Sequence, residues 1–248
     1  MQIIPISAFT DNYIWLIVNN SEAFCIDPGE AKPVISYLDE HALKLSGILL
    51  THHHFDHVGG VKDLLNFAPA SKVYGPHDKR IVGITDYLAG GTELTIIPYK
   101  FKVLNTPGHT STHISFYESQ FGWLFCGDTL FSAGCGRVFD GTFAELFNSL
   151  NIFKSLPNQT KIYCAHEYTK HNLCFAATIE PKNKDIQVHI ANLTICSLPS
   201  TIGLEKKINP FLRTDLPSLQ EHALQNDAKD LSSFAIFKQI RKEKDCFA

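Results

Sequence analysis

A layered α/β fold, with packed sheets covered by helices, is what this sequence predicts. Three observations carry that expectation. Short apolar runs alternate with turn signals and helical patterns through the first two-thirds of the chain. Four of those runs end in a small residue followed by a potential metal ligand, and strand ends are where ligands gather in layered α/β architectures. After His166 the texture changes to helical patterns.

Taken in order, residues 13–18 and 23–26 read as strands, with Asn19-Asn20 as the turn between them and Asp27-Pro28-Gly29 closing the second. Residues 31–43 have helical periodicity. The apolar run Gly47-Ile48-Leu49-Leu50 reads as a buried strand. A short helix over 61–67 follows the glycine pair Gly59-Gly60, and residues 72–74 return as a strand. Residues 92–97, 101–104, 113–117 and 123–126 read as closely spaced strands. A helix over 142–156 stops at Pro157. In the tail, residues 171–179, 185–196 and 233–244 read as helices joined by Pro-, Ser- and Asn-containing connections. Pattern alone leaves the sheet topology open. It also leaves open whether the tail is a small domain or a set of helices packed on the main core.

Composition sets bounds on function. A chain of 248 residues can hold one large core or two lobes, and 44% hydrophobic with 19% charged residues is ordinary for a globular protein. A formal charge of −3 argues against general nucleic-acid binding. The seven cysteines are odd in number and form no C-x-x-C pair, so they read as reduced thiols in a reducing compartment. The N-terminus lacks a basic region and a long apolar core, and no window reaches the ~20 apolar residues of a membrane span. The expectation is a cytoplasmic monomer with no membrane and no nucleic-acid partner.

The chemistry concentrates in Thr51-His52-His53-His54-Phe55-Asp56-His57. Four imidazoles and a carboxylate within seven residues are wrong for a core, and they are the ligand types that zinc and iron favour. In an extended segment His52, His54 and Asp56 point alike, a bend after Asp56 brings in His57, and His53 faces away. Three later runs end the same way, at His109, Asp128 and His166.

The ordered set His52-x-His54-x-Asp56-His57, His109, Asp128 and His166 resembles the metallo-β-lactamase superfamily. Longer segments narrow the likeness to the glyoxalase II (hydroxyacylglutathione hydrolase) family: Cys126-Gly127-Asp128-Thr129-Leu130-Phe131, Gly134-Cys135-Gly136-Arg137, Ala165-His166-Glu167-Tyr168-Thr169, Asn209-Pro210-Phe211-Leu212-Arg213 and Arg241-Lys242-Glu243-Lys244-Asp245. The resemblance spans essentially the whole chain. It implies an αββα sandwich over residues 1–167 and a helical substrate-binding domain over 168–248. It also implies two divalent ions, zinc first, in a ligand set that tolerates iron or manganese. By match to the family, His52, His54 and His109 hold one ion, Asp56, His57 and His166 hold the other, and Asp128 bridges. Thr51, Asp27 and Thr129 are candidate supports for the ligands.

The implied activity is a binuclear thioesterase. It cleaves S-(2-hydroxyacyl)glutathione, typically S-lactoylglutathione, to glutathione and a 2-hydroxy acid by attack of a bridging hydroxide. Asp56 and Asp128 are the catalytic carboxylates, and Asp56 accepts a hydrogen bond from the nucleophile. Arg137, Phe139, Tyr168, Arg241 and Lys244 match the substrate-binding positions. Two depart from many relatives, which carry Lys at 137 and Tyr at 139. Arg keeps the charge with another donor geometry, and Phe139 removes a hydroxyl. The rival activities are a single-iron glutathione persulfide dioxygenase and a non-catalytic binding relative of the same fold. The complete second ligand set and the cationic tail argue against the first, and the absence of any lost ligand argues against the second.

Overall fold

The computed structural model describes residues 2–96 and 98–247. Its first half is β1 (Gln2–Ala8), β2 (Asn12–Asn19), β3 (Glu22–Ile26), α1 (Lys32–Glu40), β4 (Lys44–Leu49), α2 (Phe55–Val58), α3 (Val61–Phe67), β5 (Lys72–Pro76) and β6 (Asp86–Leu88). These six strands form one sheet in chain order. β1, β2 and β3 pair antiparallel, and β3 through β6 pair parallel. Parallel neighbours need a crossover, and α1 and α3 supply the two longest.

The second half begins with β7 (Glu93–Ile96), β8 (Tyr99–Asn105), β9 (Ile114–Glu118), β10 (Trp123–Gly127), the hairpin β11 (Leu130–Phe131) and β12 (Gly134–Cys135), α4 (Phe143–Lys154) and β13 (Lys161–Cys164). It continues with α5 (Thr169–Ile179), α6 (Lys184–Ala191), β14 (Ser200–Thr201), α7 (Ile202–Ile208), a 3-10 turn (Pro210–Leu212), α8 (Pro217–Gln225) and α9 (Ser233–Cys246). The second sheet runs β14-β13-β10-β9-β8-β7. Of the strand expected over 92–97, residue Ile97 lies outside the described residues.

Alternation along β2 shows how the layers are made. Ile14 and Leu16 join the apolar core shared with Val34 and Leu38 of α1 and Leu64 of α3. Trp15 and Ile17 point the other way, into the core shared with Phe101, Phe116 and Phe125 of the second sheet. The period of two matches the pleat of a strand buried on both faces. Each fully buried side chain of this size contributes roughly 1.5–3 kcal/mol. The second core continues through the second sheet to Leu146, Leu150 and Phe153 of α4, which completes an αββα sandwich. α4 starts on a capping box in which Thr142 and Glu145 satisfy each other's backbone N–H groups.

The tail helices bring Phe175, Phe211, Phe237 and Ile240 into that same core, so their apolar face is continuous with the sandwich. A small satellite core joins Leu173 and Ala176 of α5, Ile186 of α6 and Ile208 of α7. Two expected helices are shorter than their patterns. The first stops at Glu40, because Ala42 takes a left-handed φ of 52° to turn into β4. α6 stops at Ala191, and beyond it Ser197 is pulled onto Glu167 by two hydrogen bonds. No helix among the described residues is long and apolar enough to cross a membrane.

Candidate metal centre and cleft

The strand ends deliver the ligands as the sequence suggests, with one correction. His54 is extended, with φ −61° and ψ 145°, and α2 begins at Phe55, so the bend falls before Asp56. Asp56 and His57 therefore sit on a helical turn. Gly60 lets that segment lie tight on the loop after β3, where a Cβ would stand 2.6 Å from the Ala31 nitrogen. His53 turns its Nδ1 toward Asp78, 3.7 Å away, and belongs to neither ligand group.

Two groups of side chains converge. In one, His52 Nε2 and His109 Nε2 each lie 3.1 Å from His54 Nδ1. In the other, Asp56 Oδ2 lies 3.4 Å from His57 Nε2 and 3.3 Å from His166 Nε2. Asp128 stands between them. Its Oδ1 is 3.5 Å from His57 Nε2, and its Oδ2 is 3.5 Å from His109 Nε2 and 3.4 Å from His166 Nε2. Ligands 2.0–2.1 Å from a tetrahedral ion lie about 3.3–3.4 Å apart, close to these separations. His57 Nε2 and Asp128 Oδ1 are buried without a hydrogen-bond partner, an arrangement that a cation would satisfy. A third combination, Asp27 with His52 and His57, also lies close together. Asp27 Oδ2, however, approaches His57 at Nδ1, 3.1 Å away, the nitrogen turned from the centre.

The nitrogens that face outward are held. His52 Nδ1 is 3.0 Å from Thr51 Oγ1, and Asp27 accepts from both the Thr51 backbone N–H and its hydroxyl, each at 2.7 Å. His109 Nδ1 is 2.7 Å from the Arg137 carbonyl. His166 Nδ1 is 2.8 Å from Asp11 Oδ1, and Asn12 donates to Asp56 Oδ2 at 3.0 Å. Such partners fix ring orientation and raise ligand basicity. Asp11, Asn12 and His113 were not candidates from sequence. Thr129, expected as a support, reaches the buried ring of His113 at 3.2 Å rather than a ligand.

The buried carboxylates of the centre are balanced by the imidazoles beside them. Burial disfavours ionised Asp128 and Asp56. The His166 and His57 rings outweigh it and hold both carboxyls well below the usual range. Burial also pulls His57 and His166 down, but Asp128 and their other carboxylate neighbours push His57 well up and His166 up to about 10. In the all-histidine group, burial and then neighbouring imidazoles lower His52 strongly and His54 to about 4. Protonating His57 and His166 is thus the protein's own way to neutralise the acids. Divalent ions would do so with every imidazole neutral, which is the state in which imidazole binds metal.

A cleft of about 400 Å³ opens from the ligands towards α9. Phe139 stands edge-on to His54 and His109, with ring centroids 5.0 and 5.2 Å away, and Tyr168 stacks on His166 at 4.6 Å. Arg241 and Lys244, which composition alone would put on a solvated helix face, are buried at 4% and 8% exposure. Phe211 covers the guanidinium, and Phe175 and Phe247 flank the ammonium. The two cations differ in their partners. Arg241 donates Nη1 to the Cys135 carbonyl at 2.8 Å and Nη2 to Asp245 at 3.1 Å. Lys244 has no carboxylate partner among the described residues. Arg137 is more exposed and shares Asp245 at 3.2 Å. The Cys135 thiol also lines the cleft, and burial pushes it up to about 11, unlike an activated nucleophile.

Asn209-Pro210-Phe211-Leu212-Arg213 works as a tie rather than a ligand. Asn209 Nδ2 donates to the Phe131 and Gly134 carbonyls, Phe211 underlies Arg241, and Arg213 pairs with Glu180 through two nitrogens. The β11–β12 hairpin that borders the cleft is thereby fastened to the tail.

The family profile described as "Metallo-beta-lactamase superfamily" matches residues 9–87 and 99–166, and the one described as "Hydroxyacylglutathione hydrolase C-terminus" matches 167–247. A hydroxyacylglutathione hydrolase of Legionella pneumophila (strain Corby) is 51% identical over 253 residues, covering 100% of both chains. Among solved structures, ETHE1 from Myxococcus xanthus shares the fold at a TM-score of 0.67 and 23% identity, covering 100% of both chains. A chain solved in a di-iron-bound form has a TM-score of 0.64 and 26% identity, over 86% of this chain and 100% of that one.

Proposed function

We propose that this chain, which belongs to the hydroxyacylglutathione hydrolase family of the metallo-β-lactamase superfamily, hydrolyses S-(2-hydroxyacyl)glutathione at a two-ion centre. The observation that carries the reading is the placement of Asp128, whose carboxylate lies within 3.5 Å of ligand nitrogens from both groups: Oδ2 reaches His109 of one and His166 of the other, and Oδ1 reaches His57. In this reading His52, His54 and His109 hold one ion, Asp56, His57 and His166 hold the other, and Asp128 is shared. Zinc is the first choice at both positions, since imidazole and carboxylate suit it. Iron or manganese suits the same donors.

Ions bound there acidify solvent and polarise the acyl carbonyl. The rest is the work of the side chains. Asp56 accepts a hydrogen bond from the attacking water and orients it. Phe139 and Tyr168 wall the reacting carbonyl. Residues 168–248 form the substrate lobe, where Lys244 pairs with a carboxylate of the glutathione moiety, Arg137 adds charge at the mouth, and Arg241 fixes the hairpin beside them. The water oxygen bonds to the acyl carbon, the C–S bond breaks, and the glutathione thiolate leaves. A thiol with an ordinary pKa near ~8.5 needs no general acid to depart. The products are glutathione and a 2-hydroxy acid. All seven cysteines are unpaired, which suits a cytoplasmic enzyme.

The test is hydrolysis of S-lactoylglutathione by the purified protein, followed by chelation and metal return. The reading expects turnover that chelation abolishes and zinc restores. Undiminished turnover in metal-stripped protein, or none in metal-loaded protein, would overturn it.

A further inference from the structure

His113 is the one buried imidazole of the centre that is not among the proposed ligands, yet it touches the floor on which they stand. Its ring is 1% exposed and lies nearly parallel to His52, with centroids 4.9 Å apart and planes 24° apart. The backbone N–H of Asp128 donates to His113 Nε2 at 3.3 Å. On the other side, His113 Nδ1 lies 2.9 Å from Thr106 Oγ1 and 3.2 Å from Thr129 Oγ1. Nε2 can accept only when it carries no proton, so the proton of the neutral ring sits on Nδ1 and is given to a threonine hydroxyl.

The backbone beside it is shaped to the same end. Gly127 adopts φ +48°, and a Cβ there would lie 2.4 Å from Thr51 Oγ1 and 2.8 Å from His113 Nε2. A left-handed residue without a side chain thus turns the Asp128 N–H onto His113. The hydrogen bond is made by the backbone, so the Asp128 carboxylate itself stays turned to His57, His109 and His166.

We propose that His113 is a positioning residue: with its Nε2 accepting from the Asp128 N–H, it anchors the Asp128 backbone so that the carboxylate is held between the two ion positions. The proposal rests on the two-ion reading above. A group that orients the shared carboxylate acts on both positions at once, whereas a residue behind a single ligand acts on one. Partners of this kind typically change metal affinity about 10–100-fold when removed.

The test uses apo protein titrated with cobalt(II), read by visible absorption and by the magnetic coupling of the pair in electron paramagnetic resonance. His113→Phe keeps a ring but removes both nitrogens. His113→Gln places an amide oxygen near the Nε2 position and can restore the acceptor. Wild type should take two ions and show a coupled pair. His113→Phe should lose about 10–100-fold in affinity at both steps and lose the coupling. His113→Gln should bind within about threefold of wild type and keep it. Wild-type binding and coupling in His113→Phe would overturn the proposal. So would a His113→Gln protein as weak as His113→Phe, since packing rather than an acceptor would then matter. If His113→Phe does not fold, His113→Leu, which also lacks both nitrogens, takes its place in the same comparison. Wild-type protein that never takes a second ion would instead defeat the two-ion reading, which separates the two failures.

Discussion

Replacing Lys244 by Met tests the substrate side of the cleft most sharply. The side chain is 8% exposed, and its ammonium lies 5.4 and 5.2 Å from the rings of Phe175 and Phe247. Met keeps an unbranched apolar stem against both rings, so the substitution removes charge with little loss of packing. A charge-assisted hydrogen bond to a substrate carboxylate contributes roughly 1.5–3 kcal/mol. At about 1.4 kcal/mol per decade, KM for S-lactoylglutathione should rise roughly 10- to 150-fold. The contact is remote from the acyl carbon and equal in ground and transition states, so kcat should stay near wild type. A small thioester lacking the glutathione peptide should be hydrolysed equally by both proteins.

The pH dependence adds a second reading. Burial, and then the nearby Arg241 charge, lower Lys244 from its ordinary 10.5 to about 8. The wild-type KM should therefore climb as pH rises past about 8 and the ammonium is lost, and the Met variant should lack that climb. The linkage to stability has the opposite sense. Between about 8 and 10.5 the unfolded chain binds the Lys244 proton more tightly than the folded one, so this residue's contribution makes the fold more stable as pH rises through that window. Steady-state kinetics on both substrates from pH 6.5 to about 9.5 decide the matter. Equal KM values for wild type and variant on S-lactoylglutathione would refute the pairing.

Three further outcomes follow from the same geometry. Arg241→Ala should raise KM, reduce kcat and lower Tm, because its Nη atoms hold Cys135 and Asp245; an effect on KM alone would contradict this division of labour from Lys244. His53→Gln should retain both ions by elemental analysis, whereas His52→Gln should weaken one; loss of metal in His53→Gln would refute the register read from Asp78. Asp27→Asn should lower metal affinity about 10–100-fold at the His57 position and also weaken the other through Thr51 and His52; wild-type affinity at the His57 position in a cobalt titration would argue against that placement.

The ligands were legible because each follows a strand long enough to leave a pattern. Leu49, Asn105, Gly127 and Cys164 end strands that the apolar runs mark, and His52, His109, Asp128 and His166 come within four residues after them. The position of the bend at Phe55 was not, because α2 is only four residues long and shows no periodicity. The same brevity hid β11, β12 and β14. Asp11 and Asn12 escaped notice because the end of a hairpin turn and the first residue of the strand after it carry no local sign that they will meet His166 across the molecule. His113 reads from sequence as the start of a strand, and its role depends on the backbone of Gly127, which only the fold supplies. The burial of Arg241 and Lys244 was masked by the charge around them. The phenylalanines that cover them come from α5, the 3-10 turn and the C-terminus.

The whole mechanism depends on two ions sharing Asp128. Metal content measured by elemental analysis, alongside turnover, as zinc is returned to apo wild type and apo Asp128→Ala tests it most directly. Wild type should hold two ions per chain at full activity, and the variant should retain both weakly with collapsed turnover. Full turnover at one ion per chain, or near-normal metal and activity in Asp128→Ala, would contradict it.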